Sequence, residues 1–574
     1  MTHPHNPPSL RIVIVGGVAG GASAATRARR VNEHAHITLF EKDHHVSFAN
    51  CGLPYYIGGE ITDRAKLLVT TPQALRARFN IDVRIRHEVT AIDRSRKVVA
   101  VRNRDTHETF EQPYDKLILA PGAAPIVPPL PGIDAANVFT LRNLADTDRI
   151  KQYVDAAVKR GPAGGGQAVV VGAGFIGLEM VEMLHGLGMK VALVELAPQV
   201  LPPLDSEMAA AVQDTLARQG IQLHIGDGLG GFVTEPRDGI TVATAVKTSS
   251  GQSIAADLVI VGVGVRPSVK LAADAGLALG ATGGITVNEH LQTADPDIYA
   301  VGDAVEYRHQ VADLLMRVPL AGPANRAGRL AGEHAATGHS APMAPVLGTA
   351  IVRVFDTVAA VTGSNQRALA KANTPFRAVY VRANHHAEYY PGAQPMTIKL
   401  LFHPDTRKVL GAQAVGGDGV DKRIDVLATA IHLGANVENL TDLDLAYAPP
   451  FGSAKDPVHM AGFAAHNNLD GLVTFTAPDG NLSSQQVVDV RSDKEVRNLP
   501  IPALHDDVNG NVRHIPLDEL RQRLGELDPA KPTTVVCFSG QRSYLGARIL
   551  AQHGFTHVAS LTGGVSVRRL FQKS

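Results

Sequence analysis

The sequence predicts an α/β protein of several domains, and three observations carry that expectation. A strand, glycine turn and helix occur together near the N-terminus. The same pattern returns after residue 166, and a small α/β pattern of its own closes the chain. A length of 574 residues allows three to five domains at roughly 100–200 residues each. Lys+Arg and Asp+Glu are both 55, so no basic field exists to hold a nucleic acid or an anionic membrane. No apolar run reaches the roughly 18 residues of a membrane span, and Met1–Pro8 lacks the charged-then-apolar order of a signal peptide. The expectation is a cytoplasmic protein.

The first unit opens with Arg11-Ile-Val-Ile-Val15, turns at Gly16-Gly-Val-Ala-Gly-Gly21 and continues as an Ala-rich helix to Arg30. The strand His36–Glu41 follows and ends on an acid about 20 positions after the turn, the layout of a dinucleotide-binding βαβ unit. Val18 stands where the second glycine of the strict G-x-G-x-x-G pattern would be. Ala19, Gly20, Gly21 and Lys42 complete this candidate nucleotide site with Gly16, Val18 and Glu41. The second unit, Ala168–Gly177, keeps all three glycines, Gly172, Gly174 and Gly177, with Phe175 and Ile176 between them, and its second strand ends on Glu195. Two such turns with acids at the correct offset predict two bound nucleotides. The strand Thr293–Asp303 delivers a further acid at a Gly-Asp step. Tyr114–Gly122 and Leu258–Pro267, the latter containing Gly264, mark crossings between two interleaved domains.

From these motifs the chain resembles the FAD-dependent pyridine nucleotide-disulfide reductases. The resemblance implies two interleaved Rossmann-like nucleotide-binding domains, an α+β dimerisation domain and a C-terminal α/β rhodanese domain. In it, Gly16, Gly21, Glu41, Gly122 and Asp303 hold FAD, and Gly172, Gly174, Gly177, Glu195 and Gly264 hold NADH. The implied boundaries are 1–125 and 265–338 for FAD, 126–264 for NAD, 339–466 for the dimerisation domain, 467–484 for a polar linker and 485–574 for rhodanese. The strand pattern Gly348–Gly363 and the helical stretch Asp421–Leu433 fit the third of these, and a homodimer is expected.

Only two cysteines occur. Cys51 stands in Ser47-Phe-Ala-Asn-Cys-Gly-Leu-Pro-Tyr-Tyr56, where the reductases place a redox-active sulfur, but the position of their second cysteine is Tyr56. The other sulfur or oxygen must therefore come from outside. The segment resembles the coenzyme A-disulfide reductases and their persulfide-reducing relatives, and its implied coenzyme A contacts are Ser23, Arg27, Arg30, Ser47 and Asn50. Arg27 and Arg30, spaced i, i+3, share a helix face. A proton source for the departing thiolate is assigned by the same resemblance to Tyr389 and Tyr447, reaching the flavin site from the partner subunit, with Tyr390 the competing choice for the first.

Cys537 ends a strand and opens Cys-Phe-Ser-Gly-Gln-Arg542-Ser543 ahead of a helix, where several backbone N–H groups are expected to stabilise a thiolate or persulfide. With Asp489-Val-Arg491 upstream, this resembles a rhodanese domain; Val565 replaces an aromatic residue often found there. The 24 histidines form no zinc pattern with a cysteine. Persulfide, polysulfide or coenzyme A disulfide are the expected substrates. An NADH oxidase or peroxidase cycling Cys51 through sulfenic acid, and a sulfur-trafficking partner with slow turnover, are the rival readings.

Overall fold

The computed structural model describes residues 9–159, 166–499 and 511–571, so the N-terminal Met1–Pro8 lies outside the described residues. The chain forms two compact units, one of residues up to Leu196 with Gln222–Gly348, the other of Ala197–Ile221 with Thr349 onward.

The first unit contains two parallel five-stranded sheets. In one, Arg11–Val15 is central between Lys116–Leu119 and His36–Glu41, with Ile298–Ala300 and Asp82–Ile85 outermost. In the other, Gln167–Val171 lies between Lys190–Glu195 and Leu258–Val261, flanked by Gln222–Ile225 and Val138–Phe139. Helices cover both faces of such sheets, so the central strands are apolar throughout; Ile12, Ile14, Val169 and Val170 are fully buried. The expected crossing between the sheets is the antiparallel pair Ala123–Pro125 with Val265–Pro267.

The helix Ala19–Val31 lies against the helix Ala321–Thr337 through residues with almost no side chain. A Cβ on Gly328 would stand 2.1 Å from the Gly20 carbonyl oxygen, and one on Gly332 2.2 Å from that of Ala24.

In the second unit, an antiparallel sheet runs in the order Ala350–Val354, Thr357–Gly363, Val409–Gly416, Pro395–Phe402, Arg377–Asn384. The helices Val420–His432 and Pro457–Leu469 belong with it. The C-terminal sheet is parallel, in the order Thr474–Thr476, Val558–Leu561, Thr533–Val536, Gln486–Asp489, Val512–His514. Thr474–Thr476 falls inside the segment expected to be a linker. Its alternating Thr-Phe-Thr pairs in register with Ala559–Leu561, so 467–484 contributes a strand to the last domain rather than merely connecting to it.

Within the expected NAD range, the segment Ala197–Ile221 groups by its contacts with the second unit. A buried ion cluster fixes it there. Lys399, fully buried, reaches Asp205 at 2.7 Å and Glu207 at 2.5 Å, and the Gln413 side chain and Tyr380 hydroxyl donate to the same two carboxylates. Among the described residues no helix is long and apolar enough to cross a membrane.

Candidate active site

The first glycine turn is built as the sequence predicts. Gly16 has φ +95° and a Cβ there would collide with the Ala120 carbonyl at 2.2 Å; a Cβ on Gly21 would stand 1.8 Å from the Gly16 oxygen. Val18 has φ −90°, outside the left-handed region that favours glycine. Glu41 is buried and its carboxylate accepts the Gly17 N–H (2.8 Å) and the Asp43 N–H (2.9 Å). Burial raises its pKa, and these two donors partly oppose the rise.

A cavity of about 770 Å³ adjoins this turn. Gly16, Val18, Ala19, Gly20, Glu41 and Lys42 line one end; Asn50, Gly122 and Asp303 also contribute. Asp303 has its pKa raised by burial, against the opposing charge of Arg142, whose guanidinium lies beside Gly122. A cavity lined by a glycine turn, the buried acid Glu41 and a second acid, Asp303, fits a dinucleotide such as FAD.

In the second unit of the nucleotide-binding pair, Gly172 has φ +103° and a Cβ on Gly177 would meet the Gly172 oxygen at 1.9 Å, while a Cβ on Gly174 would meet nothing within 4 Å. Open space at Gly174 is the approach a pyrophosphate needs at the start of the helix Phe175–Gly186. Ile176 is exposed there, Gly264 has φ +112°, and the Glu195 carboxylate accepts the Ala173 N–H at 2.6 Å. These residues fit a nicotinamide dinucleotide.

Cys51 is exposed, in the short turn Asn50–Gly52 ahead of the helix Leu53–Gly58. The protein body on one side of the sulfur raises the thiol pKa, and the carboxylates of Glu179 and Asp303 act in the same direction. The Tyr55 hydroxyl donates to Glu179 at 3.2 Å, and Tyr56, at the position of the missing second cysteine, lies 5.7 Å from the Lys151 ammonium.

The five expected coenzyme A contacts are unequal. Arg27 is held by Glu333 at 2.7 Å, and Ser23 donates to Asn325 at 2.6 Å. Arg30 is exposed, with its guanidinium over the Phe79 ring. Ser47 sits at φ +46° and Asn50 is exposed at the Cys51 turn. Arg30, with no ion pair among the described residues, is therefore the more available cation of the pair.

In the second compact unit the hydroxyls of Tyr389 and Tyr447 meet at 3.0 Å on exposed side chains. That hydrogen bond raises the Tyr389 pKa. Tyr390 instead packs edge-on against His386, so the structure pairs Tyr389, not Tyr390, with Tyr447.

Cys537 is fully buried at the end of Thr533–Val536. Its sulfur accepts the Gly540 N–H at 3.1 Å, and its thiol donates to the Ser543 hydroxyl at 3.5 Å. One backbone N–H thus reaches the sulfur, among the described residues, where several were expected. The helix Gln541–Gln552 begins beyond Gly540, whose φ of +98° turns its N–H inward. Arg542 makes a two-pronged pair with Glu495 (2.7 and 2.5 Å), and Asp489 and Arg491 form a buried pair at 2.7 Å.

The family profile described as pyridine nucleotide-disulphide oxidoreductase matches residues 10–325, more than half of the chain. The chain belongs to this family. The dimerisation-domain profile of the same oxidoreductases matches 349–457 and a rhodanese-like domain profile matches 478–567. A coenzyme A disulfide reductase of Staphylococcus haemolyticus is 37% identical over 80% of this chain and 99% of its own length. The crystal structure of reduced Bacillus anthracis CoADR-RHD is 44% identical, with TM-score 0.91 and 98% of both chains covered. An NAD-dependent persulfide reductase from A. fulgidus is 37% identical, with TM-score 0.88, covering 97% of this chain and all of that one. Pyridine nucleotide-disulphide oxidoreductases of this kind use FAD and NADH, which the two turns and the cleft accommodate.

Four residues of this oxidoreductase's sites escaped the sequence reading. Glu495 had a legible signal, since Ser492-x-x-Glu495 is a capping box, and both of its reciprocal bonds form. Glu179, Arg142 and Glu333 had none: each acts on a partner more than a hundred residues away in sequence.

Proposed function

We propose that this oxidoreductase reduces coenzyme A persulfide, or the corresponding coenzyme A disulfide, with electrons from NADH, and that its rhodanese domain loads sulfane sulfur onto coenzyme A. The observation that carries this reading is that the chain's two cysteines, Cys51 exposed and Cys537 buried, are both free, and no third exists. Each needs a sulfur partner from outside.

In the proposed sequence, Cys537 thiolate takes the outer sulfur of a donor such as thiosulfate, releasing sulfite, and holds it as a persulfide under the Gly540 N–H. A coenzyme A thiol takes that sulfur and restores Cys537. At the other site Cys51 thiolate attacks the inner sulfur of coenzyme A persulfide; the sulfur–sulfur bond breaks, hydrosulfide leaves, and a Cys51–coenzyme A disulfide forms. FAD, when bound, supplies the relay of two electrons from NADH that cleaves this disulfide. The sum is coenzyme A persulfide plus NADH giving coenzyme A, hydrosulfide and NAD⁺. Asn50 and Ser47 flank the Cys51 turn to hold the substrate, and Arg30 with Arg27 takes its phosphates. The Tyr389–Tyr447 pair, contributed by a second copy of the chain, protonates the coenzyme A thiolate.

The test compares two variants on two substrates. Cys537→Ser should lose thiosulfate-supported hydrosulfide release yet reduce preformed coenzyme A persulfide normally, while Cys51→Ser should lose both. Full thiosulfate-supported turnover by Cys537→Ser would sink the reading. Oxygen or peroxide consumption exceeding persulfide reduction, with no coenzyme A attached to Cys51 by peptide mass mapping, would install the oxidase reading instead.

A further inference from the structure

Three buried arginines among the described residues show how burial of charge is compensated. Arg423 meets Asp456, Arg491 meets Asp489, and Arg29 spends its guanidinium on the carbonyls of Phe79, Asn32, Glu33 and Asn80. Arg382, half-buried on the strand Arg377–Asn384, departs from this. Its guanidinium lies 5.9 Å from the centroid of the Phe538 ring, and no carboxylate or carbonyl accepts from it among the described residues. Burial alone acts on it, lowering its pKa, with no acid opposing that fall.

Arg382 borders a cavity of about 370 Å³ in the second unit, between the helix Ser206–Arg218, the antiparallel sheet and the last helix, Gly564–Phe571. The other charged side chains of that cavity are Arg218, Asp356 and Asp214. Arg218 and Asp356 face each other at 3.7 Å and are both largely exposed, so water screens them. The Arg382 guanidinium lies near the Phe538 ring and lines the cavity with no acceptor among the described residues; its parallel N–H groups match an oxyanion. Phe538 is the residue after Cys537, and its carbonyl accepts the N–H of Ser566, another residue of the cavity wall. The cavity is thus tied to the sulfur-bearing loop through Ser566, which bonds the Phe538 carbonyl, and through the Phe538 ring near the unpaired cation.

We propose that this cavity is a second anion site, in which Arg382 binds the oxyanion group of the sulfur donor or acceptor that serves Cys537. The chemistry is a tetrahedral oxyanion, found both in thiosulfate and in the phosphates of coenzyme A. The inference rests on the sulfur-transfer reading of the C-terminal domain only for the ligand's role, not for its binding.

The test uses full-length holoenzyme and an arginine-specific dicarbonyl, phenylglyoxal, with the adduct at Arg382 followed by peptide mass mapping. Thiosulfate, adenosine 3′,5′-bisphosphate and inorganic phosphate are the protecting probes. Protection by thiosulfate alone assigns the donor, protection by the bisphosphate assigns coenzyme A, and protection by neither refutes the site. In parallel, Arg382→Gln should raise the KM for the protecting ligand in sulfur transfer about ten-fold or more, with kcat and the Cys51-dependent reduction of coenzyme A disulfide unchanged. Arg382→Lys should fall between. An unchanged KM in a folded Arg382→Gln chain overturns the proposal. Protection of Arg382 that persists in Cys537→Ser, whatever that variant does to sulfur transfer, separates the anion site from the transfer reading.

Discussion

Ser543→Ala tests whether the cup around Cys537 is chemistry or scaffold. The Ser543 hydroxyl is fully buried, accepts from the Cys537 thiol at 3.5 Å and from the Ser560 hydroxyl at 2.9 Å, and donates to the Gly540 carbonyl at 2.9 Å. Removing it leaves the Gly540 carbonyl with the Tyr544 N–H at 3.2 Å, but strands the buried Ser560 hydroxyl, at a cost of about 1–3 kcal/mol. When Cys537 carries anionic sulfur it no longer donates, and the Ser543 proton turns to the sulfur. A hydrogen bond to a charged group contributes about 1.5–3 kcal/mol, so Ser543→Ala should lower the kcat/KM of thiosulfate sulfur transfer by about 10- to 150-fold. Adding Ser560→Ala removes the stranded group. The double variant should therefore regain most of the stability, read as hydrogen exchange of the Thr533–Val536 amides, without regaining transfer. Recovery of both together, or a single variant within two-fold of the parent's rate, would refute the assignment.

Three further outcomes follow from named contacts. Glu179→Gln removes a carboxylate that raises the Cys51 pKa, so the pH midpoint for alkylation of Cys51 should move down; an unmoved midpoint would remove Glu179 from the sulfur's surroundings. Glu495 is held down to about 2, from 4.5, chiefly by Arg542. Its contribution is therefore present above pH 4.5 and lost as pH falls towards 2; the pair is about one-third exposed, which limits it to about 1 kcal/mol. Hydrogen exchange of the helix Gln541–Gln552 should be faster in Glu495→Gln than in the parent at about pH 6, with the difference gone near pH 2. Lys399→Met leaves Asp205 and Glu207 buried without their cation and should cost about 3–5 kcal/mol, visible as an early thermal transition that Lys399→Met combined with Asp205→Asn and Glu207→Gln reduces.

The glycine turns were legible because each glycine has one backbone reason that local sequence can display. Gly21 and Gly177 face a carbonyl under 2 Å from where a Cβ would be, and no other residue solves that contact. Val18, by contrast, has a negative φ, so that position lacks the left-handed backbone that Gly16 adopts. Cys51 and Cys537 were legible as sites because their neighbours in sequence form their loops. What acts on those sulfurs was less so. Glu179 reaches Cys51 from the second nucleotide-binding helix, and Glu333 occupies Arg27 from a helix about three hundred residues on; no periodicity links such positions. Thr474–Thr476 went unread as a strand because three residues between polar turns carry too short an alternation to stand out, and register with Ala559–Leu561 supplies what the local pattern lacks.

The two cysteines divide the labour by environment. Cys51 is open to solvent on one side, while partial burial and the carboxylates of Glu179 and Asp303 favour its protonated form. In the proposed reading its reaction depends on a substrate held in register by cations and donors, the roles given there to Arg30, Arg27, Ser47 and Asn50. Cys537 has the opposite arrangement, with one backbone N–H donating to the sulfur, a serine hydroxyl accepting from it, and no exposure at all. A persulfide there is held in place and shielded from water. In the proposed cycle, transfer from it calls for an acceptor slender enough to enter the loop, and delivery to Cys51 calls for the same acceptor to carry phosphates for Arg30 and Arg27. A thiol on a long flexible arm with a phosphorylated end meets both demands of that proposal, which is why coenzyme A is its acceptor.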